Sequence, residues 1–288
     1  RVLIVGSGDV VRRIIPWLAL RFRVRAVVRR PEECAALRAL GAEPLVADLD
    51  ARGSLRRLAG IAEYVLHCAP PPGQGDDDPR TRRLLAALAR RGSLPRRISY
   101  ISTTGVYGDC SGARLDESRP ARPASPRGRR RVAAEARLRR FGAASGCSVA
   151  ILRAPGIYDS AARLPVERLR RGDPVLCPAD DVFTNHIHAD DLARLVALAL
   201  FRGGPNRTYN ASDDSELKMG DYFDQVADAL GLPRPPRVSR AEAAERLSPQ
   251  TLSFMSESRR LDNRRLKREL RVKLRYPTVA ATLAGIVS

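Results

Sequence analysis

The sequence predicts an α/β fold, a doubly wound parallel sheet of strand order 3-2-1-4-5-6 followed by a small, mostly helical part. Three observations predict it. Short β-rich apolar runs alternate with helical segments over the first 155 residues, which implies strand–helix–strand units and a parallel sheet. A glycine pair follows the first run directly, where a helix opens. After residue 155 the rhythm changes and helices dominate.

Six strands are expected at 2–5, 24–28, 43–47, 63–69, 97–102 and 148–153, each rich in Val, Ile, Leu or Tyr. Helices are expected between them at 9–21, 31–40, 52–59, 79–91 and 127–145. Pro31 opens the second helix with Glu32 and Glu33 in its first turn, where free amides and the dipole favour them, and Gly41 stops it. Right-handed crossovers then place ligands at the carboxyl ends of the strands. The first unit is therefore expected to be residues 1–155. The second, 156–288, holds helices near 161–171, 189–202, 218–231, 240–246 and 262–270, with 207–212 a candidate strand returning to the main sheet. The acidic stretch 73–80 reads as a turn entering a helix.

Composition narrows the class. Of 288 residues 44% are hydrophobic, enough for a core, and no apolar run reaches the roughly 20 residues that span a bilayer. The opening "RVLIV" meets "GSGD" too soon for a secretory segment, so a cytoplasmic protein is expected. Cys34, Cys68, Cys110, Cys147 and Cys177 are odd in number and scattered, which suits reduced thiols and neither a disulfide framework nor a metal site. The net charge of +19 rests almost wholly on arginine, since Lys218, Lys267 and Lys273 are the only lysines among 51 basic residues. A bias spread so evenly beside abundant alanine argues against nucleic acid as the primary partner, while it still attracts an anionic ligand.

The loop "VGSGDVV" suits a dinucleotide. Gly6 permits the tight turn, Gly8 lets the main chain approach a diphosphate, and Ser7, Asp9 and Val10 complete the amide-rich bend. Val11 stands where the fingerprint wants a third glycine or alanine. The second strand ends in Arg29 and Arg30 where NAD-preferring folds place an acid, so NADP is expected in preference to NAD. Asp48, followed by Leu49, ends the third strand; its carboxylate suits the adenine amine or the cap of the next helix. Cys68, Ala69 and Pro70 end the fourth strand and line the ribose side, while His67 reads as a locally bonded core residue.

Taken together, "VLIVGSGD", "VADLD", "VLHCAPPP", "YISTTGVYGD", "VAILRAPGIY", "HIHADDLA" and "YNASD" resemble, in order and spacing, the extended and atypical short-chain dehydrogenase/reductases, the group with the NAD-dependent epimerases and dehydratases. The resemblance covers residues 2 to about 230 and implies a Rossmann domain with a substrate-capping part. It implies that Ser102, Ala154 and Pro155 border the cofactor and that Thr103 holds the reacting oxygen. It also implies a Tyr-x-x-x-Lys pair about 20 residues later. Aligned on Gly128 and Glu135, those places hold Arg127 and Arg131. Arg131 can still serve the ribose; Arg127, always protonated, cannot replace a phenol.

Tyr107, after the fifth strand, is the first candidate for a relocated acid/base group, and Tyr158 the second. Gly156 and Thr184 replace the asparagine and arginine that serve nucleotide phosphates in the family, which puts a nucleotide-sugar substrate in doubt. His186 and His188 share a strand face, but no third ligand accompanies them, so no metal is expected; His188 reads as a loop anchor and Asp190 as a helix cap. The expected function is an NADP-dependent oxidoreductase or epimerase-like enzyme acting on an unidentified small molecule. The alternative is a non-catalytic NADP(H) sensor. The resemblance also implies a homodimer through the helices after strands four and five, here 79–91 and 127–145, both of which carry apolar stripes.

Overall fold

The computed structural model describes residues 1–90, 93–160 and 162–287. Seven parallel strands form one sheet: β1 (Val2–Val5), β2 (Val24–Val28), β3 (Glu43–Val46), β4 (Tyr64–His67), β5 (Arg97–Thr103), β6 (Ser148–Ala154) and β7 (Arg207–Asn210). Their order is β3-β2-β1-β4-β5-β6-β7, the expected doubly wound sheet extended by one strand. The central strand β1 is apolar throughout because both faces are covered. Along β1, Val2 and Ile4 enter one core and Leu3 and Val5 the other, as alternation requires.

The helices depart from expectation in instructive places. Residues 9–21 form two short helices, α1 (Asp9–Arg12) and α2 (Ile15–Ala19). Pro16 sits in the first turn of the second: lacking an amide hydrogen, it cannot continue the first. A 3-10 turn (Pro31–Glu33) precedes α3 (Cys34–Ala39), and Arg52–Leu58 is entirely 3-10. Asp78 caps α4 (Pro79–Leu88) by accepting from Thr81 N at 3.1 Å; the expected end at residue 91 lies outside the described residues. Ser125 caps α5 (Pro126–Ser145), which Gly146 ends at φ 72°.

After α6 (Val166–Arg170) the chain returns to the sheet. Helix α7 (Ala189–Arg202) buries Leu192, Leu195, Val196 and Leu200 in the same core as Val2 and Ile4, and β7 pairs with β6. These two elements follow residue 155 yet belong to the sheet layers, the strand lying within the 207–212 candidate. A separate core holds the cap, where Leu169 meets α8 (Met219–Ala229) through Phe223 and Val226, with Val279 and Leu283 behind. Leu84, Leu85 and Leu88 of α4 pack with Ala134 and Leu138 of α5 beneath the sheet, so the stripes that suggested a dimer are buried within the protomer. On the outer strand β3, Pro44 lies beside Glu43, which pairs with Arg23 and Arg25. All five cysteines are free. No helix among the described residues is long and apolar enough to cross a membrane.

Candidate functional site

A cavity of about 600 Å³ opens at the carboxyl ends of β1, β2 and β4. Its floor is the glycine bend. Gly6 has φ 92°, and a Cβ there would lie 2.3 Å from Ala69 N, so only glycine fits. The close approach is fixed because Cys68 N and Ala69 N both donate to Val5 O, at 2.7 and 2.9 Å. Gly8 differs: its φ of −72° suits any residue, and a Cβ would meet nothing within 4 Å. The space over Gly8 faces the cavity, which is what close approach of a ligand needs. Val11 is 2% exposed and packed in the core with Val2 and Ile4, so its side chain leaves the cradle open.

The expected residues divide once placed. Ser7, Asp9, Val10, Asp48, Leu49, Cys68, Ala69 and Pro70 all line this cavity. The Ser7 hydroxyl turns inward and donates to Val27 O at 2.9 Å. Burial raises the Asp9 carboxyl, but Arg13 at 3.0 Å and Arg163 at 3.1 Å outweigh it and hold it below its usual range. Asp48 accepts from Asp50 N at 2.9 Å, and Ala51 holds the cap position that was one of the two roles open to Asp48. Arg29 lines the cavity, exposed and with no ion-pair partner among the described residues. Arg30 is a correction: it lies outside the lining and pairs with Glu33 at 2.9 Å. Arg12, which sequence reading passed over, braces the bend by donating to Ser7 O and to Glu33, both at 2.8 Å. Its place four residues after Gly8, in the first helical turn, was the available signal.

A second cavity, of about 520 Å³, adjoins the first; Ile101, Arg131, Ile157 and Arg163 border both. Helix α5 aims Arg131 between them, where it donates to Tyr100 OH at 2.9 Å and Ile101 O at 2.6 Å. Thr103, Ala154 and Pro155 line this second cavity, and Arg127 enters it from the first turn of α5. The Thr103 oxygen accepts from Gly105 N at 3.3 Å, which leaves its hydrogen free to donate. Ser102 borders the cavity too, but its hydroxyl donates to Glu135 at 2.6 Å. Glu135 also pairs with Arg153 at 2.8 Å, deep beneath the wall. Burial alone would raise its carboxyl; Arg153, Ser102 and Arg139 together bring it below the ordinary value.

Both relocated-phenol candidates are corrected. Tyr107 is 2% exposed, lines neither cavity and donates to Asn210 Oδ1 at 2.7 Å, with Arg153 over its ring at 4.6 Å. Burial pushes its hydroxyl up to about 12. Tyr158 is buried against Thr282 at 3.2 Å, and burial raises it as well. His67 bonds Thr81 at 2.8 Å and burial lowers it to about 4, in keeping with a structural role. His188, not Asp190, caps α7 by accepting from Asp190 N at 3.2 Å; Asp190 pairs instead with Arg13 at 2.9 Å. No metal-holding group of three or more His, Cys, Asp or Glu occurs among the described residues.

Residues 6–202 match the family described as NAD(P)H-binding. The chain belongs to this family. A solved protein of unknown function from Silicibacter pomeroyi is 32% identical, with a TM-score of 0.82 over 99% of this chain and 97% of that one. UDP-glucose 4-epimerase from Thermotoga maritima, solved with UDP-glucose, is 18% identical with a TM-score of 0.78, over 99% and 97% of the two chains. The dTDP-glucose 4,6-dehydratase DesIV from Streptomyces venezuelae, a double mutant solved with NAD, is 20% identical with a TM-score of 0.75, over 99% and 96%. The chain thus has the fold of the extended short-chain dehydrogenase/reductases. Comparison with curated proteins gave no match.

Proposed function

We propose that this NAD(P)H-binding protein is an NADP-dependent oxidoreductase that works without the tyrosine–lysine pair of its relatives. The observation that carries the reading is the meeting of two cavities at Arg131, with Thr103 on the wall of the second. The first suits a dinucleotide, because Gly8 offers open main chain where a diphosphate must approach and Arg29 offers an unpaired guanidinium for a 2′-phosphate. A bound nicotinamide dinucleotide supplies a hydride donor or acceptor. Arg131, held by a carbonyl and a phenol, presents fixed positive charge at the junction, where the family has lysine. Thr103 donates its free hydroxyl hydrogen to a substrate oxygen and orients it.

The second reading is an NADP(H) sensor without turnover. What favours it is the burial of Tyr107 and Tyr158 together with arginine at position 127. NADPH fluorescence titration against NADH, followed by NADPH oxidation over a panel of aldehydes, ketones and enones, separates the readings. Turnover that falls in Thr103→Ala supports the oxidoreductase. Tight NADPH binding with no turnover on any panel member leaves the sensor.

A further inference from the structure

We infer that the second cavity receives the oxyanion of a small organic acid or phosphate monoester, with an apolar, ring-bearing remainder against its aromatic wall. The inference rests on the proposed reading that this cavity takes the reacting small molecule. Charge is the first argument. Arg127, Arg131, Arg163, Arg168 and Arg259 border the cavity, and Glu257 is the one carboxylate among the described residues that does. Three of those cations are already engaged: Arg131 by Tyr100 and Ile101, Arg163 by Asp9, and Arg259 by Glu257 at 2.7 Å. Arg127 and Arg168 are not matched in the same way. Among the described residues Arg127 has no hydrogen-bond or ion-pair partner. Arg168 reaches Asp173 only at 3.5 Å.

Unpartnered donors are the second argument. Arg168 Nη2 and Arg259 Nε are buried without a hydrogen bond, although such groups are costly to leave unmade and most find a partner. An oxyanion is the acceptor that satisfies them. Partial burial holds the Arg168 guanidinium below its ordinary value, and the guanidinium of Arg127, a residue exposed at the rim, is lowered by partial desolvation and by its neighbours Arg131 and Arg259. An incoming negative charge offsets both influences by favouring the charged guanidinium.

Shape is the third argument. Phe254 lies under Arg127 and Phe223 under Arg168, each at 4.5 Å, so the cations rest over rings, and Phe183 and Tyr222 continue the wall. A charged end and a ring-bearing body fit such a lining. Gly156 and Thr184 line the cavity where the resemblance places the asparagine and arginine that serve a nucleotide's phosphates.

Isothermal titration of the NADPH-saturated protein with phenyl phosphate, benzoate and benzyl alcohol tests this. At least one anion is expected to bind tenfold or more tightly than the alcohol, and whichever anion wins names the headgroup. Arg127→Gln and Arg168→Gln are each expected to weaken that anion at least tenfold while NADPH affinity changes less than twofold, which also reports an intact fold. The inference is overturned if the alcohol binds as well as the anions, if neither anion binds, or if either variant keeps full anion affinity. Should NADPH itself not bind, the dinucleotide reading fails separately. The same titration of the free protein then still decides the inference, because Arg127 borders only the second cavity.

Discussion

The two cavities are built from different materials. The first is mainly backbone: a bend at Gly6–Gly8 pressed against Cys68 and Ala69, and its cations are mostly neutralised by Glu33, Asp50 or Asp9. The second is mainly side chain, with guanidinium groups brought together from three distant segments, two of them set on aromatic rings. A backbone cradle comes with the fold and survives many substitutions. A side-chain cradle can be rebuilt without disturbing the sheet, which is how one fold serves different substrates.

The strongest test of that contrast is a single methyl group. Gly6→Ala must place a Cβ 2.3 Å from Ala69 N at φ 92°, so it is expected to destabilise by at least about 4 kcal/mol and to abolish NADPH binding. Gly8→Ala meets nothing and should leave the unfolding midpoint unchanged or slightly raised while weakening NADPH more than tenfold. Equal effects of the two in thermal melts and NADPH titration would break the distinction.

Next in size is the buried pair behind the second cavity's wall. Glu135→Gln strands Arg153, which is 4% exposed, and should cost about 3 kcal/mol in urea unfolding. Because the folded Glu135 value is depressed, its contribution is present above the unfolded value of about 4.3 and is lost as the pH falls through the folded one. The variant's stability should therefore fall less steeply in acid than the wild type's. An identical acid slope in the two would remove Glu135 from the account.

Smaller effects sharpen the picture. Arg29→Ala should weaken NADPH about tenfold, near 1.4 kcal/mol, and leave NADH unchanged, whereas Arg30→Ala should do neither. Parallel titrations with both coenzymes check this. Tyr107→Phe should cost about 1 kcal/mol of stability for its lost bond to Asn210 and leave any turnover intact. A large fall in rate at unchanged stability would restore Tyr107 to the chemistry.

What the sequence disclosed follows the same division. The strands were legible because their apolar runs repeat and end in turns, and the glycine pair because its place after β1 gives it meaning. The proline at position 16 was visible in a stretch read as one helix, and its missing amide divides that helix in two. Arg29 and Arg30 could not be told apart, since neighbouring residues at a strand's end diverge and only one reaches the cavity. The partner of Tyr107 lies 103 residues away, on a strand whose pairing no local pattern fixes. Arg168 and Arg259 had no motif to announce them, because their neighbourhood exists only after the cap has folded onto the sheet.

Pro44 gives the outer strand β3 a further property. An open sheet edge invites another molecule to add a ladder, and that is how many native proteins begin to aggregate. Pro44 has no hydrogen to offer such a visitor, and the charges of Glu43, Arg23 and Arg25 keep water on the rim. The sheet is thereby discouraged from growing sideways, and crowded molecules stay apart at the margin most exposed to sticking.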